Sequence, residues 1–187
     1  PKPMAVFNNK PFLEYIIQFY SKYIFKNIFI LTGYKSKSIK KKFDNKKYNF
    51  TNIKCLTENR PLGTGGALNL LKRKKINDFI LINGDTFINV DLSKLIKSCN
   101  KNSFGALTLI KNKSYKSNKK LTTLNIKANK LFYQQKKGLM NAGVYFFKKK
   151  ILKFIENKNL SLENDILPKL IKKEKISGIK TNKFFID

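Results

Sequence analysis

The chain has 187 residues, 42% of them hydrophobic, which suffices for one domain with a real core, and no apolar run in it is long enough to span a membrane. It has no histidine and only two cysteines, which excludes histidine-based acid–base or triad chemistry and argues against a zinc site. Its formal net charge of +29 is almost all lysine, with Arg60 and Arg73 the only arginines. Nucleic-acid readers lean on arginine forks, so the charge is read as the imprint of A+T-rich codons, and neither a nucleic acid nor a membrane is expected as partner.

The first residue is Pro1, not Met, and no signal peptide opens the chain, so a piece of a longer, cytoplasmic protein is expected. Leu13, Ile16, Ile17, Tyr20 and Ile24 recur at a helical period, with Pro11 suited to the first turn. Asn27–Thr32 reads as a buried strand, residues 36–43 as a short Lys-rich helix, and Phe50–Thr57 as another strand carrying Cys55 as a small core residue. Both cysteines are expected as free thiols in a reducing compartment. Leu62–Leu71 reads as a loop leading into a helix, Phe79–Ile82 as the central strand, Asp91–Ser98 as a helix and Phe104–Ile110 as a strand. A polar loop at 111–120 precedes a hairpin of Leu121–Ile126 with Leu131–Tyr133. Leu139–Phe147 contains a strand, two helices occupy roughly 149–157 and 161–173, and Ser177–Asp187 holds one or two strands. Strand and helix alternate through the first half, which predicts parallel βαβ units, and no interdomain linker is visible.

Five stretches carry polar chemistry. In Ile80-Leu81-Ile82-Asn83-Gly84-Asp85-Thr86, a carboxylate follows a buried strand and a tight turn, where open α/β sheets place their ligands. Asp85 reads either as a metal ligand or as a turn residue capping the helix near Asp91. In Glu58-Asn59-Arg60-Pro61-Leu62-Gly63-Thr64-Gly65-Gly66, three glycines in four positions let backbone approach a ligand and expose N–H groups at a helix start. A purely structural strand–helix turn fits equally, and the pattern is neither a Walker A loop nor a dinucleotide fingerprint. Gly138-Leu139-Met140-Asn141-Ala142-Gly143-Val144-Tyr145 offers an Asn to a polar ligand or marks close strand packing. Ser161-Leu162-Glu163-Asn164-Asp165 reads as a helix start, and Phe184-Phe185-Ile186-Asp187 ends a strand on a second carboxylate. Two carboxylates at neighbouring strand ends suit Mg²⁺.

Taken in order, PKPMAVFNNKPFLEY, ENRPLGTGGAL, INGDTFINVDLSKL, GLMNAGVYFF, SLENDILPKL and FFID resemble the sugar-1-phosphate nucleotidyltransferases. The branch they are most similar to is the D-glycero-D-manno-heptose 1-phosphate and mannose 1-phosphate guanylyltransferases. The resemblance implies an α/β fold with a Rossmann-like, mixed, mostly parallel sheet flanked by helices. It implies roles for Lys2 on the triphosphate, Glu58 and the loop Pro61, Leu62, Gly63, Thr64, Gly65 and Gly66 on the nucleotide base, and Asp85 and Asp187 on Mg²⁺. Asn141, Gly143 and Glu163 would line the sugar pocket. The substrates implied are a nucleoside triphosphate, GTP favoured, and a sugar 1-phosphate, heptose before mannose. The alternative is a relative that keeps the fold and binds these ligands without turnover.

Two departures stand out. The family's Gly-Gly-x-Gly-Thr-Arg-Leu loop and first strand lie upstream of Pro-Lys-Pro-Met, and a Gly-x-Pro segment follows the Ile-Asp; this chain contains neither. Residues 1–187 are therefore expected to be a single domain truncated at both ends and, alone, of little or no activity. The family's Glu-Lys before the Asn-x-Gly strand is also replaced, with Lys136 the counterpart on the sugar phosphate.

Overall fold

The computed structural model describes residues 1–23, 25–111, 122–135 and 138–186. Its contacts gather the chain into two compact units, residues 1–74 with 155–161, and residues 75–154 with 162–187. No helix among the described residues is long and apolar enough to cross a membrane.

The first unit opens with a 3₁₀ turn, Lys2–Met4, and a small hairpin of β1 (Val6–Phe7) and β2 (Lys10–Pro11). Asn8 and Asn9 turn it, both with positive φ (43° and 63°), a conformation Asn tolerates better than most residues. Pro11 then caps α1 (Phe12–Tyr20), which buries Leu13, Ile16, Ile17 and Tyr20 on one stripe. The expected continuation to Ile24 falls on a residue outside those described. Strand β3 (Asn27–Thr32), α2 (Ser36–Phe43), β4 (Lys47–Tyr48) and β5 (Thr51–Thr57) follow. β3 and β5 pair in parallel from Asn27↔Asn52 to Thr32↔Thr57, the βαβ unit predicted from the pattern, and β4 joins β5 antiparallel. Alternate strand residues Ile28, Ile30, Ile53 and Cys55 meet Leu13 and Ile17 of α1 and Ile39 and Phe43 of α2. Phe43 and Ile53 are fully buried, so truncating either to alanine should cost about 2–5 kcal/mol. Cys55 is half-buried, and burial pushes its thiol up to about 11, with the Asp44 carboxylate adding to the rise. A four-residue helix, α3 (Gly63–Gly66), runs into a 3₁₀ segment, Ala67–Leu71, which buries Leu68 and Leu71.

The second unit contains β6 (Phe79–Ile82), β7 (Phe87–Ile88), α4 (Leu92–Lys97), β8 (Gly105–Lys111), β9 (Thr122–Lys127), β10 (Lys130–Gln135) and β11 (Leu139–Phe147). A 3₁₀ segment (Lys149–Phe154), a π turn (Leu162–Ile166), α5 (Leu167–Lys172), β12 (Ile176–Thr181) and β13 (Phe185–Ile186) complete it. Six strands form one sheet in the order β6-β11-β8-β12-β10-β9, while β7 and β13 pair separately. The sheet is mixed as expected, but its balance corrects the mostly parallel reading. Among the described residues of this sheet, β8–β12 is the one parallel pair; β11 runs antiparallel to β6, β8 and β9, and β10 runs antiparallel to β9 and β12. The strand–helix alternation that predicts parallel pairs stops in the first half of the chain. Beyond it, hairpin connections and the return of β11 through the middle of the sheet decide direction. The polar loop at 112–120 and Leu121 lie outside the described residues.

Candidate active site

In the second unit, β6, expected as the central strand, instead stands half-buried at one end of the six-stranded sheet, and it delivers the expected turn from there. The Asn83 N–H donates to the carbonyl of Gly143 (2.9 Å), and Thr86 N–H reaches back to Asn83 O (3.5 Å). Asp85 is half-buried in this turn, and its carboxylate makes no hydrogen bond or ion pair among the described residues. It does not cap the next helix. Asp91 does that, its Oδ1 accepting from Lys94 N–H at 2.9 Å. A hard oxygen donor left without a protein partner, in a chain this basic, fits a divalent cation. No group of three His, Cys, Asp or Glu side chains able to hold a metal occurs among the described residues. Mg²⁺ takes one or two protein carboxylates and fills its shell with phosphates and water. Asp187, the expected second ligand, lies outside the described residues; the residue before it, Ile186, pairs with Phe87.

Beside this turn, β11 departs from regular geometry. Its pairing with β8 jumps from Asn141↔Leu109 to Tyr145↔Leu107, so three residues of β11 face one of β8. Gly143 sits in the bulge with φ +70°, which glycine adopts without strain. A Cβ there would fall 2.9 Å from Asn83 Nδ2. The bulge turns Asn141 back on itself, and its Oδ1 accepts the Gly143 N–H at 3.1 Å. That bond fixes the amide, so Nδ2 points the other way and donates to the Tyr145 hydroxyl. The hydroxyl in turn donates to Glu163 Oε1 at 3.3 Å. Glu163 stands in the π turn, a local widening common at functional sites. Asn141, Gly143 and Glu163 are thus brought together as expected, while Lys136 is not among the described residues. Tyr145 joins them unannounced. Gly143, two residues earlier, reads from the sequence as close strand packing, which does not show its partners.

In the first unit, the Glu58 side chain lies across Gly33, where an added Cβ would be 2.0 Å from Oε1. Its Oε2 accepts the Leu62 N–H at 3.0 Å, closing the loop 58–62. The exposed N–H groups expected of the glycines are corrected at two positions. Gly65 and Gly66 both donate to the carbonyl of Leu160 (2.8 and 3.1 Å), and Leu160 N–H donates to Leu62 O (2.8 Å). A Cβ at Gly66 would meet Lys158 O at 2.2 Å, and one at Gly63, φ +70°, would meet Leu160 O at 2.6 Å. These glycines are small because the segment 158–160 crosses them. Pro61, Gly63 and Thr64 remain exposed, and Leu62 is buried. A cavity of about 560 Å³ opens nearby, lined among others by Thr57, Asn59, Arg60, Leu62 and Arg73. Arg60 donates to the Asn157 carbonyl at 2.6 Å. Of the residues expected on the base, only Leu62 reaches this cavity, so it is not the surface that Glu58 organises. Lys2 is exposed, and its ammonium has no partner among the described residues.

The pattern of the family described as "Nucleotidyl transferase" matches residues 1–184. The chain is 34% identical, over its whole length and 83% of the relative's, to a D-glycero-alpha-D-manno-heptose 1-phosphate guanylyltransferase of Aneurinibacillus thermoaerophilus. The figures for the protein of that name from Campylobacter jejuni are 34% and 84%. Among solved structures, HddC from Yersinia pseudotuberculosis superposes with a TM-score of 0.81 at 28% identity, covering all of this chain and 84% of that one. The same protein complexed with GMP-PN gives 0.79 at 27% identity, with the same coverage.

Proposed function

The chain belongs to the nucleotidyl transferase family, and on that premise we propose that it serves the transfer of GMP from GTP to a sugar 1-phosphate. The sugar is D-glycero-D-manno-heptose before mannose, and the products are a nucleotide-sugar and pyrophosphate. The observation that carries this reading is 34% identity along the entire chain to two relatives of that name. The reaction is an in-line displacement at the α-phosphorus by a sugar phosphate oxygen. That nucleophile is already an anion, so a chain without histidine lacks nothing it needs. Positioning and charge neutralisation carry such transfers.

The residues divide by task. Lys2 neutralises charge on the triphosphate. Glu58 holds the loop through Leu62 N–H, and the loop from Pro61 to Gly66 faces the base through its exposed members, Pro61, Gly63 and Thr64. Asp85 and Asp187 would hold Mg²⁺, which when bound would offset the negative charge gathered between the reacting phosphates. Asn141, Gly143 and Glu163 take the sugar, and Lys136 its phosphate.

Pyrophosphate release by the full reading frame tests this. GTP, UTP, CTP and dTTP are each paired with heptose, mannose and glucose 1-phosphates, with and without Mg²⁺. Release confined to GTP with heptose or mannose 1-phosphate and dependent on Mg²⁺ is expected. Preference for another nucleotide would overturn the guanylyl assignment, and silence with every pair would favour a binding protein of the same fold.

A further inference from the structure

Tyr145 is fully buried, yet its hydroxyl touches both side chains assigned to the sugar, Asn141 and Glu163. In an unbroken strand, residues four apart stand about 13 Å from each other along the chain axis. Asn141 and Tyr145 make a direct hydrogen bond only because the bulge at Gly143 shortens that path. The polarity of the chain of bonds is set at its start. Gly143 N–H occupies Asn141 Oδ1, so Asn141 must offer Nδ2 to the tyrosine oxygen. The hydroxyl then has its single proton left for Glu163.

We propose that Tyr145 is a positioning residue for the sugar 1-phosphate, holding the Asn141 amide and the Glu163 carboxylate in one fixed arrangement through its hydroxyl. This rests on the assignment of Asn141 and Glu163 to the sugar. Burial, with the Glu163 charge adding to it, raises the tyrosine well above its ordinary value, so the hydroxyl keeps its proton at any working pH. It is a permanent donor to Glu163. The side chain that meets the sugar is then an acceptor of known orientation, and the amide opposite it cannot flip.

Tyr145→Phe removes one oxygen and keeps the ring, which stacks on Phe147 with centroids 5.7 Å apart. The variant's KM for heptose 1-phosphate should rise on the order of tenfold, the effect of one lost bond to a charged group. KM for GTP should stay within about twofold, a selectivity that a merely structural role would not produce. In a Glu163→Gln background the same substitution should add little, because the bond to a carboxylate is already gone. A second readout needs no turnover: the ¹⁵N-labelled Asn141 side-chain amide should exchange its protons with solvent faster in Tyr145→Phe than in the native protein. If Tyr145→Phe does not fold, 3-fluorotyrosine at position 145, of nearly the same shape, should shift that amide signal. Equal rises in both KM values, full additivity with Glu163→Gln, or an amide whose exchange and signal do not change each overturn the proposal. An inactive native protein would overturn the guanylyltransferase reading alone and leave the amide signal to decide this one.

Discussion

The loop at 62–66 and the bulge at 141–145 announce themselves by the same sign, glycine where a side chain would be expected, and use it differently. At Gly63 and Gly66 the space is taken by backbone of the chain itself, residues 158–160, and the N–H groups of Gly65 and Gly66 are spent on Leu160. At Gly143 the space is taken by the tip of the Asn83 side chain, and the N–H orients Asn141 towards Tyr145. One set of glycines closes a joint; the other aims functional groups. A glycine reports close approach, and only tertiary structure says of what.

The largest expected effect sets a reference for this contrast. Asp85→Asn keeps the size of the side chain and removes its charge. Turnover of the full reading frame at saturating Mg²⁺ should fall by about three orders of magnitude or more, with the circular dichroism spectrum unchanged. A variant within tenfold of the native rate would remove Asp85 from the metal. Gly66→Ala and Gly143→Ala then test the contrast directly. At Gly66 a methyl would strike a backbone carbonyl that cannot step aside, so the cost falls on stability, about 1–3 kcal/mol, read as a lower urea midpoint. At Gly143 it would meet a movable amide while demanding a left-handed φ, at about 1–2 kcal/mol. There the main loss should be in KM for the sugar 1-phosphate. Interchanged outcomes would mean that the loop serves the sugar and the bulge serves the fold.

What the sequence disclosed follows the same line. Local pattern placed β3, α2 and β6 at their observed ends, because hydrophobic period and turn residues are written within a few positions, and it found β11 through residues 144–147, the strand itself starting earlier, at Leu139. The partner of the glycine loop was not legible, since Leu160 lies almost a hundred residues downstream and offers only a carbonyl. Nor was the bulge, because Asn141 to Tyr145 reads as an ordinary strand unless the pairing with β8 is known. The excess of antiparallel pairs escaped for a related reason: strand direction is fixed by connections, and only the βαβ alternation of the first half spells one out. The hairpin of β1 and β2 has two-residue strands, too short for alternation to show.

Among the described residues, each unit also buries one tyrosine, Tyr20 in the first and Tyr145 in the second, and both are raised above their ordinary value near 10, mainly by burial. A group that holds its proton longer when folded stabilises the fold fully below its unfolded value, and that contribution is lost as pH rises above it. Stability should therefore fall above pH 10, by up to about 1.4 kcal/mol per pH unit for each tyrosine. Cys55, raised from 9 to about 11, begins the decline earlier. Urea midpoints at pH 8 and pH 11 measure it. Tyr20→Phe and Tyr145→Phe should each flatten the slope, and a slope that neither changes would mean other groups control alkaline unfolding.

The smallest effect separates two aspartates six residues apart. Asp85 and Asp91 both follow β6, and either could have capped the helix beyond it. The structure gives that task to Asp91, whose carboxylate takes the Lys94 N–H at the start of α4. Leu92 and Leu95 of that helix are buried, so its start is held from two sides and the cap supplies only part of the anchoring. Asp91→Ala should therefore cost about 1 kcal/mol of stability, with turnover within about twofold of native under Mg²⁺ saturation. Asp85→Asn should show the reverse, an intact urea midpoint and lost turnover. Measured on the same two axes, the pair distinguishes a carboxylate that serves a helix from one kept for a cation. Loss of turnover in Asp91→Ala at an unchanged midpoint would reverse the assignment.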